Sequence, residues 1–291
     1  KKEVISRMKL HNIDCDFSPG IINATINRKD TNNLFDEVNN LKKKYQYTKI
    51  QKLSSSELST IIDTDLYDGG CLDFGAGHLN PLKFVQGLGT AAKKNNVQIF
   101  EKCCVEKIDY GKKNTISVSN GYTVVSDYLI IACNGYLGNL EPNISSRVMP
   151  INNFILTTEV LGNNLLNSFL NNNYAVADNK FVPNYFRPSP DNRLIFGGGE
   201  NYTYRFPKDI KTIVRKKMLK VYPQLKNTRI DFAWGGTLAV TRNRLPYFAK
   251  IQPNVFSASG YSGHGVALSV LAGKIIAELI EGDSKRFNFM N

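Results

Sequence analysis

The chain lacks several features that would fix its class quickly. No run of about 18 apolar residues occurs, the length a membrane-crossing helix needs, so no transmembrane segment is expected. The start, Lys1-Lys2-Glu3-Val4, has no apolar h-region behind it and is not a signal peptide. It also lacks an initiator Met, and the expectation is a chain that begins inside a longer protein. Cysteines are few, at 15, 71, 103, 104 and 133, odd in number and without CxxC spacing. That excludes a disulfide frame and a zinc site and points to a reducing, cytoplasmic compartment. All five read as small buried hydrophobes, with Cys104 on a strand and Cys103 facing the other side. The three histidines, His11, His78 and His264, have no metal-ligand spacing, so no metal is expected. GxGxxG, P-loop, GxSxG and HExxH are all missing, and paired carboxylates are not evident. Hydrolase readings therefore have no support.

What is present suits a folded protein of two parts. The 291 residues exceed one ordinary core. A 42% hydrophobic content, with 16 Phe and 14 Tyr, supplies apolar surface to bury. The formal charge is +12, from 37 Lys and Arg against 25 Asp and Glu. The basic residues are dispersed in short runs such as Lys42-Lys43-Lys44 and Arg215-Lys216-Lys217. They read as a solvated surface, and no nucleic-acid partner is expected.

Periodicity predicts helices over 31–45 and 55–62, and a turn-laden loop over Gly69–Gly77. Asn80-Pro81 opens a helix that Asn95-Asn96 closes. Short strands follow at Val97–Phe100 and Cys103–Ile108, then a hairpin about Asn120-Gly121. Asp127–Cys133 reads as a buried strand. Strands are predicted at 148–160, 174–187, 193–199 and 229–240, with a helix at 208–221. This block is expected to be an antiparallel sheet with helices on one side. Gly197-Gly198-Gly199 reads as a strand-end loop, and Gly235-Gly236 as a mid-strand site of close backbone approach. Finally Val255–Ala258 is a strand, Gly260–Gly265 a tight turn, and Val266–Glu281 a helix ended by Gly282.

That last strand–turn–helix is the sharpest site signal. A helix start presents unpaired N–H groups and partial positive charge. Glycine lets a ligand approach the backbone, and Gly260, Gly263 and Gly265 stand together with Tyr261, Ser262 and His264. His78 and His264 each fit a structural or a site role; His11 reads as a surface residue. Arg187 fits equally an ion pair with Asp191 or a substrate contact.

Taken in order, several segments resemble the D-amino-acid-oxidase-like superfamily of FAD oxidoreductases, and within it the γ-glutamylputrescine oxidoreductase branch. They are Asp14-Cys15-Asp16 with Gly20, Gly75–Leu82, Ala132-Cys133-Asn134-Gly135-Tyr136, Tyr185–Asp191, Trp234-Gly235-Gly236-Thr237 and Gly260–Val266. The resemblance runs from end to end. It implies an α/β FAD-binding domain interleaved with an antiparallel-sheet α+β substrate domain. Residues 75–145 and 246–291 would belong to the FAD domain, and 1–74 and 146–245 to the substrate domain. The family begins with a Rossmann βαβ unit carrying GxGxxG, which these residues do not include. The FAD domain is thus expected to be incomplete and the chain a fragment, inactive alone.

The resemblance also implies roles. Val105 would pass the adenine side of FAD. Ala132, Cys133, Asn134 and Gly135 would approach the pyrophosphate and flavin. Gly235, Gly236, Gly260, Ser262, Gly263, Gly265 and Val266 would line the cofactor, with the helix N-terminus aimed at the flavin. His78, Trp234, Tyr261 and His264 would line the reacting amine, with Tyr185 and Arg187 on the substrate. The implied chemistry is hydride transfer from the carbon beside an amine to FAD, then hydrolysis of the imine, with oxygen as an acceptor. One departure is informative. Amino-acid oxidases of the superfamily place an Arg soon after Trp-x-Gly to grip the α-carboxylate. Here Thr237-Leu238-Ala239-Val240 stands in that place, with no Arg before Arg242. That implies an amine whose carboxylate is remote from the reacting carbon. The alternatives are an oxidase or dehydrogenase of N-methyl amino acids such as sarcosine, and a non-catalytic remnant.

Overall fold

A computed structural model describes every residue except 171, 203 and 204. The chain begins with α1 (Lys2–Leu10), β1 (Ser18–Thr25), α2 (Arg28–Tyr45), β2 (Ile50–Ser54) and α3 (Ser55–Ser59). It continues through β3 (Gly69–His78), α4 (Pro81–Lys94), β4 (Val105–Asp109), β5 (Asn114–Val118), β6 (Thr123–Ser126) and β7 (Leu129–Ile131). Next come α5 (Pro142–Ser145), β8 (Val148–Thr158), α6 (Asn163–Phe169), β9 (Ala175–Asp178), β10 (Tyr185–Pro188) and β11 (Leu194–Asn201). The last stretch holds α7 (Ile210–Val221), β12 (Ile230–Thr241), β13 (Tyr247–Gln252), β14 (Val255–Ser259), α8 (Gly265–Ile280) and α9 (Lys285–Met290).

Two compact units result. The first comprises Lys1–Ile13, Pro81–Ile151 and Thr237–Asn291, the second Asp14–Asn80 and Asn152–Gly236. Residues 1–13 thus fall with the first unit, apart from the rest of the predicted 1–74 segment. The physical reason is that α1 lies on α8, where Val4 is buried and Lys274 Nζ stands 2.8 Å from Glu3 Oε1.

In the second unit the sheet order is β12-β8-β11-β10-β9-β1-β3-β2. The sheet is mixed, because β1 pairs β9 in parallel while its other neighbour, β3, is antiparallel. One face carries the core, where Ile22, Leu72, Leu156, Val176, Phe186 and Phe196 meet Val214, Met218 and Val221 of α7. Helices are not confined to that side. On the opposite face Val38 of α2 packs on Ile50 and Cys71.

Gly69–Gly77 is not a loop but most of β3, a strand paired on both edges. Its glycines serve space, not turning. A Cβ on Gly70 would stand 2.6 Å from the Asn23 carbonyl oxygen, and one on Gly75 would stand 1.6 Å from the Tyr47 hydroxyl. Likewise Gly197–Gly199 lies within β11, at a bulge where Gly199 takes φ +91°. The bulge inserts an extra residue into the strand without ending it.

The first unit contains the sheet β13-β14-β7, with β7 and β14 parallel, and the antiparallel meander β4-β5-β6. The meander turns at Gly121, φ +83°, as the Asn-Gly pair predicts. Phe248, Phe256, Ala258 and Tyr261 pack against Ala272, Ile275 and Ile276 of α8 and Phe287 of α9. Two expectations fail here. Val97–Phe100 forms no strand, and its Val97, Ile99 and Phe100 are exposed. The 127–133 segment is buried only in part, since Ile131 is covered while Tyr128 and Ile130 are exposed. Of the five cysteines, all free, Cys15 and Cys71 are buried as expected, but Cys104 is exposed and lies before β4.

Candidate functional site

In the first unit the features gather where β14 passes into α8. Ser257 on β14 is held by its hydroxyl, which donates to the Ile131 carbonyl oxygen on β7 at 2.8 Å. The chain then reverses through Gly260, φ +67°, and Gly263, φ +94°, a region L side chains avoid. The turn is fastened on three sides. The Gly260 N–H donates to Asn134 Oδ1 (3.1 Å), the Ser262 N–H to the Ala239 carbonyl (3.0 Å), and the Thr241 N–H to Ser262 Oγ (3.3 Å). Close approach also explains Gly135, where a Cβ would stand 2.6 Å from the Thr237 carbonyl oxygen and 2.8 Å from that of Leu238.

The helix that follows is 16 residues long and carries no side-chain cap; its N-cap residue is His264. Its first-turn N–H groups therefore have no side-chain acceptor, and its dipole points out of the same end. Beside that end lies a cleft of about 440 Å³, lined among others by Phe84, Leu88, Ile130, Ala132, Asn134, Tyr261, Gly265, Val266 and Gly273. Above Gly263 a Cβ would meet nothing within 4 Å. A backbone left bare at a helix start, next to an apolar wall, is suited to a ligand with an anionic group and a flat ring.

The sequence-predicted residues divide between the units. Ala132, Asn134, Tyr261, Gly265 and Val266 line this cleft, and Cys133, Gly135, Gly260, Ser262 and Gly263 flank it in sequence. The Ser262 side chain is occupied by the turn itself, donating to the Gly260 carbonyl oxygen at 3.2 Å. Val105 opens β4 in the meander and is not among the cleft residues. Tyr261 is buried, with its hydroxyl donating to the Ala258 carbonyl oxygen at 2.9 Å and its pKa pushed up by burial to about 12. It contributes a wall, not a proton. His264 is exposed. Burial raises the Cys133 thiol. The apolar side of α4 and the small residues Ser269 and Gly273 on α8 also line the cleft. The sequence reading missed this, because apolar helix residues read as core.

His78, Tyr185, Arg187, Trp234, Gly235 and Gly236 belong to the second unit. Trp234 is 45% exposed, an uncommon position for the chain's single tryptophan. Gly235 accommodates Phe206, whose ring carbon would stand 2.5 Å from an added Cβ. Tyr185 and Arg187 project from β10 on the face opposite the core, since Phe186 between them stacks on Phe196 at 5.5 Å. The Tyr185 hydroxyl bonds Asn153 Oδ1, and burial raises its pKa. Arg187 does not pair with Asp191. Asp191 is taken by Arg193 at 2.8 Å, its neighbour across the tight turn that joins β10 to β11. Arg187 instead donates to the carbonyl oxygens of Pro188 (3.1 Å) and Leu79 (3.4 Å). His78 ends β3 with Nε2 2.9 Å from the Asn173 carbonyl oxygen, while its buried Nδ1 has no partner. A carbonyl only accepts, so the proton sits on Nε2 and Nδ1 offers a lone pair. Burial, and then the charge of Arg187, hold the imidazole below its ordinary pKa, against the opposing bond to Asn173.

A family model described as FAD dependent oxidoreductase matches residues 2–279. The chain belongs to this DAO family. Over 283 residues it is 36% identical to γ-glutamylputrescine oxidoreductase of Escherichia coli (strain K12), covering 97% of the chain and 66% of the relative. It is also 36% identical over 288 residues to the probable oxidoreductase OrdL of Haemophilus influenzae, covering 97% and 65%. The chain thus spans about two thirds of the length of these curated relatives. Among solved structures, glycine oxidase from Geobacillus kaustophilus superposes with a TM-score of 0.80 at 18% identity, over 96% of the chain and 75% of that structure. L-proline dehydrogenase from P. horikoshii gives 0.80 at 18%, over 98% and 79%. These two show the fold. FAD is the cofactor of the DAO family, and the uncapped α8 start, the bare glycine backbone and the apolar cleft fit part of it.

Proposed function

We propose that this protein oxidises an amine with FAD, acting on γ-glutamylputrescine or a related polyamine derivative. The observation that carries the reading is the start of α8, uncapped and opening on the apolar cleft beside Ala132–Gly135. In this reading the first unit is the FAD-binding part and the second the substrate-binding part. Bound FAD supplies the hydride acceptor, and the protein supplies position and electrostatics. Ala132–Gly135 and Gly260–Val266 hold the cofactor through backbone groups. The first-turn N–H groups of α8 favour negative charge at that end. Phe84, Leu88 and Tyr261 keep water from the cleft wall, which strengthens that electrostatic effect. In the second unit His78 and Trp234 are assigned to the amine, and Tyr185 and Arg187 to the remainder of the substrate. The amine reacts as the free base, and water hydrolyses the resulting imine to an aldehyde and ammonia. Oxygen serves as the electron acceptor. A reducing cytoplasm suits the five free cysteines.

The test is anaerobic mixing of FAD-loaded protein with a panel of amines, followed by flavin absorbance. γ-Glutamylputrescine is expected to bleach the flavin faster than sarcosine, glycine or D-alanine. Faster bleaching by glycine or D-alanine overturns the polyamine assignment, and bleaching by none overturns amine oxidation.

A further inference from the structure

We infer that the basic side of α7, with the tip of the β9–β10 loop beside it, is a docking surface for an anionic lipid bilayer. The surface lies wholly within the second unit.

Charge is concentrated there. From Lys208 to Lys226 the chain carries seven lysines and arginines and one acid, Asp209. These 19 residues hold +6, half of the chain's +12, and the other half is spread over the remaining 272. Among the described residues none of the seven lies in an ion pair. Asp209 is engaged as the helix cap, accepting from the Thr212 N–H at 2.9 Å, with Lys211 and Lys216 acting on its charge. Lys216 and Lys220 stand four residues apart and Lys217 lies beside them, spacings at which like charges destabilise a helix. The cluster is held against its own repulsion, and an external anionic surface relieves it.

Packing fixes how the charge is presented. Val214, Met218 and Val221 are buried in the core, so the other side of α7 faces outward. Lys211, Lys216 and Lys220 are exposed on it, as are Lys208 and Lys226 flanking the helix. Arg215 donates through Nη2 to the Lys226 carbonyl oxygen, which holds the short turn Pro223–Asn227 against α7. The helix is tied down by its apolar stripe and offers charge alone to a membrane.

The apolar contact comes from the neighbouring loop. Phe181, between β9 and β10, is 81% exposed. A flexible loop can fold such a ring inward, but this one is clamped at its base. Asp178 Oδ1 accepts from the N–H groups of Asn184 (2.8 Å) and Lys180 (3.3 Å). Its Oδ2 accepts from Asn184 Nδ2 (2.7 Å) and the Tyr67 hydroxyl (3.3 Å). The loop meets α7 at Gly198 of β11, where an added Cβ would stand 3.0 Å from Asn184 Oδ1 and 3.3 Å from Lys217 Cδ. A fixed aromatic tip beside a lysine cluster combines the two forces that hold a protein on a bilayer: apolar burial at the headgroup boundary and attraction to anionic headgroups. Nucleic acid would answer the charge too. Gripping a strand, however, takes a groove with successive stacking aromatics, and a ring protruding at a loop tip fits lipid better.

The experiment is sedimentation of the full chain with vesicles of phosphatidylcholine alone and of phosphatidylcholine mixed equally with phosphatidylglycerol. The chain is expected to bind the mixed vesicles and not the neutral ones, with affinity falling as salt is raised. Lys216→Gln, Lys217→Gln and Lys220→Gln together should weaken binding about 100-fold, at about 5-fold per lysine near an anionic surface. Phe181→Ala should weaken it about 10-fold. The same change at Lys42, Lys43 and Lys44 of α2, which packs on the opposite face of the sheet, removes equal charge and should leave most of the affinity. No binding to the mixed vesicles, equal losses from the two triple variants, or no effect of Phe181→Ala overturns the inference. Duplex DNA or RNA bound in preference to vesicles also overturns it and assigns the basic side to nucleic acid. Circular dichroism checks the fold of each variant. Should the triple variant at α7 not fold, Lys216→Gln with Lys220→Gln, both at exposed positions, decides in its place.

Discussion

The two units hold their candidate sites by different means. In the first, the groups on offer are backbone N–H, bare glycine and the end of a helix dipole; side chains supply only the apolar wall. In the second, they are a guanidinium, an imidazole lone pair, a phenol and an indole on a sheet face. A backbone site can be built from many sequences provided the glycines remain, and it suits a ligand common to a whole family. A side-chain site changes its preference with one substitution, and it suits the part that differs between substrates. The comparison predicts that variants in the two regions fail differently.

The largest effect should come from Gly135→Val. Its Cβ would meet two carbonyl oxygens, and backbone cannot yield as a flexible side chain can. A loss of about 1–3 kcal/mol in denaturant-derived stability is expected, together with loss of flavin binding. A Gly135→Val protein of wild-type stability would break the account of that loop. Next in size, Arg187→Gln should weaken γ-glutamylputrescine binding while leaving FAD affinity unchanged. Loss of FAD affinity in that variant would erase the distinction between the regions.

A smaller contrast sharpens the first region. Gly260 and Gly263 both have positive φ, but a Cβ on Gly260 would stand 2.5 Å from Thr241 Cγ2 whereas one on Gly263 would meet nothing. Gly260→Ala should therefore cost more stability than Gly263→Ala, which should lose only about 1–2 kcal/mol from its backbone. Chemical denaturation of both variants decides the order.

The smallest effect concerns pH. The folded pKa of His78 lies below its unfolded value of 6.5, chiefly through burial. Below pH 6.5 the unfolded chain therefore binds the extra proton first. His78 should cost stability as pH falls from about 6.5 to the lower folded value, with no further change from this group beyond it. In His78→Gln that part of the pH slope should vanish, as measured by urea midpoints across the range. An unchanged slope would mean that His78 is not held neutral.

Much of the first region was legible in the sequence, because strand, glycine-rich turn and helix follow one another within Val255–Ile280. Asn134 and Gly135 could be named only by resemblance, since what makes Gly135 necessary is a carbonyl about 100 residues away in sequence. The misreadings share a cause. Glycine signals either a left-handed backbone or a missing Cβ, and sequence does not say which. Gly69–Gly77 has the composition of the former, yet none of its four glycines has positive φ, and each faces a neighbour. Val97–Phe100 has strand composition, but a strand needs a partner, and none pairs with it among the described residues. Arg187 and Asp191 are neighbours in sequence, but the turn after β10 brings Arg193 closer, and an ion pair forms where geometry permits it. The orphan Nδ1 of His78 leaves no trace in sequence at all, because it depends on Asn173, far along the chain.

The central claim is that the start of α8 and its glycine turn form a flavin cradle. The most direct test is a titration of FAD into the full chain, followed by the visible absorption band and by quenching of flavin fluorescence, with Gly263→Ala run in parallel. The account predicts saturable binding to the wild type and weaker binding to Gly263→Ala, whose added methyl occupies space now open to a ligand. No saturable change with the wild type, or equal affinity in the two proteins, would contradict it.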